Sequence, residues 1–345
     1  MQSTSEQLLA EGEARAQVVE PAGSGGAQWN AARFGRALAR FVKEYAIVVV
    51  VVVMFIVLAV TSDVFLTWTN ISNILEQIAP MGLLAGALTF VTIAGEFDLS
   101  AGAIAELIGI IAGKLQPLVG TWPSLGLAVV CAIGFGLING TIIQKARINS
   151  FVTTLATSLI LAGIGLVITG GFLVTVAEPS FADLGSGSFL GLQWSVCLLI
   201  AFFVLGSLIL SRTTFGRWLY AVGGNPEAAR LSGVSVQRVK IIVFGISGLA
   251  AGIAGAVLVS RTGTGQSGDG ITQTLAAFAA VVVGGTSLRG GQGSLWRTAL
   301  GVVFLGLITN AFNLLAIDPI YQSIVQGAIV LVAVGADALT RRRAG

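Results

Sequence analysis

The chain reads as an all-α integral membrane protein of about ten transmembrane helices, built from inverted repeats, with some spans short or broken. Three observations carry that reading. Hydrophobic residues make up 55% of the 345 and charged residues 10%, against about 25% charged in soluble domains. Apolar runs recur from residue 46 to 339, most near the ~20 residues that a helix needs to cross ~30 Å of hydrocarbon. The Lys and Arg residues fall almost wholly on one side of those runs.

Residues 1–44 are rich in Glu, Gln, Ala and Gly and finish with Arg33, Arg36, Arg40 and Lys43. They are expected to form a partly disordered cytoplasmic tail ending in a basic segment at the membrane surface. Residues 45–345 form the membrane domain. The run 46–60 follows too long a polar leader for a signal peptide, with no convincing small-residue cleavage site after it, and is expected to stay as the first span. Further spans are expected near 73–95, 100–118, 123–145, 151–172, 193–211, 240–260, 272–287, 294–315 and 319–339. Glu76, Gln77 and Pro80 interrupt the second, and glycines flank the short eighth. The 46 glycines suit helices that pack closely in lipid.

Charge orients the spans. With the amino terminus in the cytoplasm, only Lys114 and Arg261 of the 19 Lys and Arg residues fall outside. Both termini and the polar interval 212–240 are then cytoplasmic. GLING at 136–140 and GLITN at 306–310 close spans that run in opposite directions, as inverted repeats would.

Composition also excludes chemistry. There is no histidine, so imidazole catalysis and histidine metal ligation are ruled out. Cys131 and Cys197 lie in apolar runs and read as small buried hydrophobes, with a redox pair as a remote second reading. No phosphate loop occurs: the string from Gly109 to Leu115 has the wrong glycine spacing and no Ser or Thr after its lysine. An ATP-driven process would need another subunit.

The interval 212–240 is the longest polar stretch between apolar spans and contains a short helix with both ends specified. Asn225 can cap it, Pro226 suits its first position, Glu227 places an anion in its first turn and Gly233 can end it. Ala228, Ala229 and Leu231 give it a shallow face suited to a partner's groove.

Polar residues inside the spans divide between glue and solute contact. Asp98 or Ser100 can cap the third span without touching a solute. Glu106 is an ionisable group in hydrocarbon, either functional or paired, with Lys114 two turns on as a candidate partner. Asn139 and Thr141 on the fourth span, Thr153, Thr154 and Thr157 on the fifth, and Thr309, Asn310 and Asn313 on the ninth can hydrogen-bond a polyhydroxy solute or hold helices together. Asp98, Glu106, Asn139, Asn310 and Asn313 are the pathway candidates. Two Gly-rich segments at 261–293 surround a short apolar run that needs protein around it.

Four stretches in order, AGEFDLSAG, YAVGGNPEAARLSGVSVQRVK, AAVVVGGTSLRGGQGS and GLITNAFNLLAI, resemble the membrane subunits of ribose-type ABC importers, which bring simple sugars into bacteria. The likeness covers nearly the whole chain from about residue 45. It implies a ten-span permease of the bacterial cytoplasmic (inner) membrane, in contact with lipid and paired with a second copy or a close paralogue. It also implies a cytoplasmic ATPase, often a fused double nucleotide-binding protein, and an extracytoplasmic sugar-binding protein. ATP and Mg would belong to that ATPase, with no cofactor on this chain and no nucleic-acid partner. Gly224, Asn225, Glu227, Ala228, Ala229, Arg230 and Gly233 match the family's coupling-loop motif.

The chain departs from the resemblance at two places. Thr274 and Ala276 stand where the family commonly carries acidic residues, and Glu96 stands where Gly is commoner. Both bear on the cargo. Three rival readings follow from the residues: an ion-coupled secondary carrier, an ABC permease for a nucleoside, amino acid or other small polar solute, and a membrane scaffold.

Overall fold

The computed structural model describes residues 47–318 except 177 and 190, with isolated residues beyond 318. The tail 1–44 and most of the span expected at 319–339 lie outside the described residues. Among the described residues, seven helices are long and apolar enough to cross a membrane, and two shorter apolar helices accompany them.

In chain order the helices are α1 (Ile47–Thr61), α2 (Trp68–Ile93), α3 (Ala101–Val119), α4 (Thr121–Ala146) and α5 (Ser150–Thr169). Then come β1 (Val174–Thr175), α6 (Pro179–Ser186), β2 (Ser188–Phe189), β3 (Leu192–Gln193) and α7 (Trp194–Arg212). The remainder are α8 (Thr214–Gly224), α9 (Pro226–Leu231), α10 (Val236–Thr262), β4 (Thr264–Gly265), α11 (Gly270–Val283) and α12 (Leu295–Leu314).

The second span is one unbroken helix, although Pro80 lies within it. Proline lacks the N–H that would bond the carbonyl four residues earlier. That carbonyl, on Glu76, is instead met by Arg261 Nη1 at 3.4 Å. The expected interruption is absorbed by a cation from another helix. α2 is the most enclosed span, with 78% of its apolar window buried.

The packing is exchanged between two halves. α2 does not pack along its successor α3 but on α11 and α12, and α10 does not pack along α11 but on α3 and α4. α2 meets α10, and α3 meets α11. Successive crossings make α2 and α10 run in opposite senses, as inverted repeats would. Small residues bring the backbones together: a Cβ on Gly136 of α4 would lie 2.2 Å from Phe244 O of α10.

Two helices begin inside the bundle. A Cβ on Gly102, in the first turn of α3, would lie 2.0 Å from Gly270 O at the start of α11. The chain reaches these starts through the non-helical segments 94–100 and 263–269. α11 has 14 residues, and at 1.5 Å per residue it spans about 21 Å, short of a full crossing. It ends at Val283, four residues short of the expected 287, because Gly285 turns the chain with φ of +82°.

The end opposite α9 carries a small cover that the residue pattern did not announce. β1 pairs antiparallel with β4 through Val174 and Gly265, and β2 pairs with β3. α6 is pinned to the end of α10 by the Gly185 N–H, which donates to Ser260 Oγ at 2.8 Å.

Candidate functional site

α9 projects from one end of the bundle and both its termini are satisfied locally. Asn225 Oδ1 accepts the Ala228 N–H at 3.0 Å, Pro226 occupies the first position, and Gly233 takes φ of +84° so that the Val234 N–H reaches Ala229 O at 3.0 Å. Arg230 Nη2 meets Glu227 Oε1 at 2.6 Å across one exposed turn. Ala228 and Leu231 face outward, whereas Ala229 is 4% exposed. Ala229 packs into a small core with Leu219, Val222 and Val239, so it supports the helix from beneath, and the outward face is narrower than its sequence suggests.

Beneath α9 three glycine segments meet. A Cβ on Gly223 would lie 1.7 Å from Ile93 O and 2.6 Å from the Gly291 nitrogen, and the Gly291 N–H donates to that same Ile93 carbonyl at 2.9 Å. Gly290 approaches the Cα of Gly95, and Gly291 that of Gly224. A side chain at Gly224 itself would meet nothing. The ends of α2 and α8 and the loop after α11 therefore touch backbone to backbone, where any side chain would hold them apart. Tyr220 adds a pin: its hydroxyl donates to Gly293 O at 2.8 Å, and burial pushes the phenol above its ordinary pKa, keeping the donor protonated.

Beside this junction, Lys240 Nζ meets Glu96 Oε1 at 2.6 Å, with both side chains largely enclosed, and Gln144 Nε2 adds a 3.4 Å contact to the same oxygen. Glu96 thus ties the segment 94–100 to the first turns of α10.

Asp98 and Asn139 belong to one closed network. Asp98 Oδ1 accepts the Ser100 N–H at 2.9 Å and the Ser100 hydroxyl, and Oδ2 accepts the Ser247 hydroxyl at 2.6 Å. Asn139 Nδ2 donates to Ser100 Oγ at 2.9 Å, and Thr157 Oγ1 donates to Asn139 Oδ1 at 2.7 Å. The Phe97 and Leu99 amides go to Ser150 and Thr154 hydroxyls of α5. This is how a non-helical segment survives within the bundle: hydroxyls of α5 and the Asp98 carboxylate satisfy its backbone, and Asn139 of α4 and Ser247 of α10 satisfy its side chains.

Glu106 serves the mirrored segment. Its Oε2 accepts the Gly268 N–H at 3.1 Å and its Oε1 the Asp269 N–H at 2.8 Å, at the start of α11. Lys114, the partner expected for it, is exposed further along α3; the carboxylate is met by backbone amides because the chain drops back into the bundle beside it. Between α3, α10 and the descending segment lies a cleft of about 200 Å³ with Glu106, Gln266 and Gln273 on its wall.

Asn310 pairs with Asn70: Asn310 Nδ2 donates to Asn70 Oδ1 at 2.7 Å, and Asn70 Nδ2 returns a 3.3 Å bond. It joins α12 to α2. Asn313, one turn later, is exposed. Of the five pathway candidates, the structure joins Asp98 with Asn139, sets Glu106 at the cleft, and leaves Asn310 and Asn313 apart from both. The sequence reading missed Gln266 and Gln273, because the surface they share exists only once the chain re-enters the bundle.

Residues 70–334 match the family described as branched-chain amino acid transport system / permease component. The L-arabinose transport system permease protein AraH of Escherichia coli is 37% identical over 292 residues, covering 84% of this chain and 89% of that protein. The ribose import permease protein RbsC of Bacillus subtilis is 39% identical over 288 residues, covering 83% and 89%. The ribose import permease of Haemophilus influenzae is 36% identical over 307 residues, covering 87% and 94%. An all-α bundle with broken helices and likeness across most of both chains lead to one assignment: this protein is a multi-pass membrane permease and belongs to the family of transport-system permease components.

Proposed function

We propose that the chain is the permease subunit of a bacterial ABC importer for a neutral monosaccharide or related polyol. The observation that carries the coupling is α9: a capped, exposed helix seated directly on the glycine junction that links α2, α8 and the loop after α11. A separate cytoplasmic ATPase, which holds ATP and Mg, docks on Gly224, Asn225, Glu227, Ala228 and Arg230, with Ala229 and Gly233 shaping the helix. A second permease completes the pathway, and an extracytoplasmic binding protein delivers the solute to the end bearing α6. The chain itself binds no cofactor and forms no covalent bond to the solute. Both termini are assigned to the cytoplasm by the positive-inside pattern of Lys and Arg along the sequence.

The sugar cargo follows from the ribose and arabinose permeases among the relatives. The family description supports a second cargo class, an amino acid. An ion-coupled carrier is disfavoured by Glu106, whose carboxylate is engaged by helix amides. The decisive experiment is uptake of labelled sugars and amino acids by proteoliposomes holding the permease with its ATPase and binding protein. Sugar uptake that requires ATP is expected. Uptake without the ATPase that a proton uncoupler abolishes would replace this reading with the carrier.

A further inference from the structure

We propose that the cleft between α3, α10 and the segment entering α11 is a transit site for one neutral polyhydroxylated solute, with Glu106, Gln266 and Gln273 as its hydrogen-bonding wall. The proposal rests on the transport reading above and adds to it a place and a recognition chemistry.

The cleft has the make-up of a small-sugar site. Its volume of about 200 Å³ lies below the range of about 300–1,000 Å³ for drug-sized ligands and suits a single small solute. Leu258 and Val259 add apolar lining for ring C–H groups to the wall that carries the carboxylate and the two amides. Its floor is the crossing of α3 and α10, where a Cβ on Gly255 would lie 2.1 Å from Ala105 O; a larger residue there would force the two helices apart.

The polar groups here are held differently from those of the closed network. The bonds joining Asp98, Ser100, Asn139, Thr157 and Ser247 are none longer than 2.9 Å. Gln273 Nε2 lies 3.5 Å from Glu106 Oε1, and Gln266 Nε2 lies 3.4 Å from Asp269 Oδ2. Contacts that long exchange readily for a solute hydroxyl. A carboxylate offers about four lone-pair positions; backbone amides at the start of α11 engage Glu106, and the long Gln273 contact to Oε1 is the one a sugar O–H would displace.

Charge decides between a neutral solute and a cation. Glu106 accepts two amide hydrogens at the positive end of α11, and Asp269, the second carboxylate beside it, is solvent-exposed, so the carboxylate is balanced without a counter-ion inside the cleft. A solute that offers hydroxyl donors and no charge fits that balance.

The test uses the assembled transporter in proteoliposomes, with D-ribose and L-arabinose as probes. The double variant Gln266→Ala/Gln273→Ala is expected to lower uptake about tenfold, the equivalent of two ordinary hydrogen bonds, while ATP hydrolysis still rises with sugar-loaded binding protein. Uptake at the unmodified rate overturns the site. An independent readout is labelling of Gln266→Cys by a soluble maleimide, in a chain carrying Cys131→Ser and Cys197→Ser. Either sugar should slow that labelling in detergent-solubilised protein, and equal rates with and without sugar overturn the proposal. If the unmodified chain takes up neither sugar, the sugar reading of function fails, and the labelling result alone decides the site.

Discussion

Glu106 and Thr274 hold each other's helices. Glu106, in the second turn of α3, receives the Gly268 and Asp269 amides at the start of α11. Thr274, in the second turn of α11, receives the Gly102 amide at the start of α3 at 2.8 Å. Two helix starts that lie inside the bundle are thus capped reciprocally, and a residue marked only as a departure from the family pattern stands at the mirrored position of Glu106.

Thr274→Val keeps the shape and removes the acceptor, leaving the buried Gly102 amide unpaired. A cost of about 1–3 kcal/mol is expected, read as a lower unfolding temperature in detergent, with Thr274→Ser restoring most of it. An unchanged melting curve for the valine variant would remove the capping role.

Gly223→Ala places a carbon where Ile93 O already sits, whereas Gly224→Ala meets open space. The first is expected to cost about 1–3 kcal/mol or force the junction apart, and the second to leave folding unchanged. Thermal stability and uptake, measured for the pair side by side, check the contrast.

Charge reversal on α9 separates docking from folding. Glu227→Arg and Arg230→Glu break a solvent-exposed pair, so stability should move by no more than about 0.5 kcal/mol. Association with the ATPase and solute uptake should both fall sharply. Normal uptake by both variants would end the proposed role of that helix.

The pair between Glu96 and Lys240 is largely enclosed. Replacing Lys240 by Met alone strands a charge and is expected to cost about 3–5 kcal/mol, while the double change with Glu96→Gln should recover much of it. A double-mutant cycle on thermal unfolding measures the coupling, and additive losses would show that the two side chains act independently.

Tyr220→Phe loses the bond to Gly293 and should cost about 1 kcal/mol. Because burial raises the phenol pKa in the folded state, the contribution is fully present below the unfolded value of about 10 and is lost as pH rises through the folded value. The stability difference between Tyr220 and the Phe variant should therefore stay flat from neutral pH to about 9.

Much of the architecture was legible because hydropathy and charge act locally. The expected ranges 100–118, 193–211 and 294–315 fall within one residue of α3, α7 and α12. The cap of α9 was readable residue by residue, since Asn225, Pro226 and Gly233 act on their own backbone. Where reading failed, the missing partner was distant in sequence: Arg261 for the carbonyl freed by Pro80, backbone amides in place of Lys114 for Glu106, and Val222 and Val239 around Ala229. The repeat of GLING and GLITN pointed to inversion, but the exchange of α2 and α10 between halves was beyond a local pattern.

The sequence by itself determined that this chain lives in a membrane, which flank is basic, and that a short capped helix interrupts its spans, because each follows from a residue's own transfer energy or its immediate neighbours. The tertiary structure decided what the polar residues do. Whether a buried carboxylate or amide meets a helix start, another amide or an open cleft depends on which distant backbone packs beside it, and in this fold the glycines set that approach.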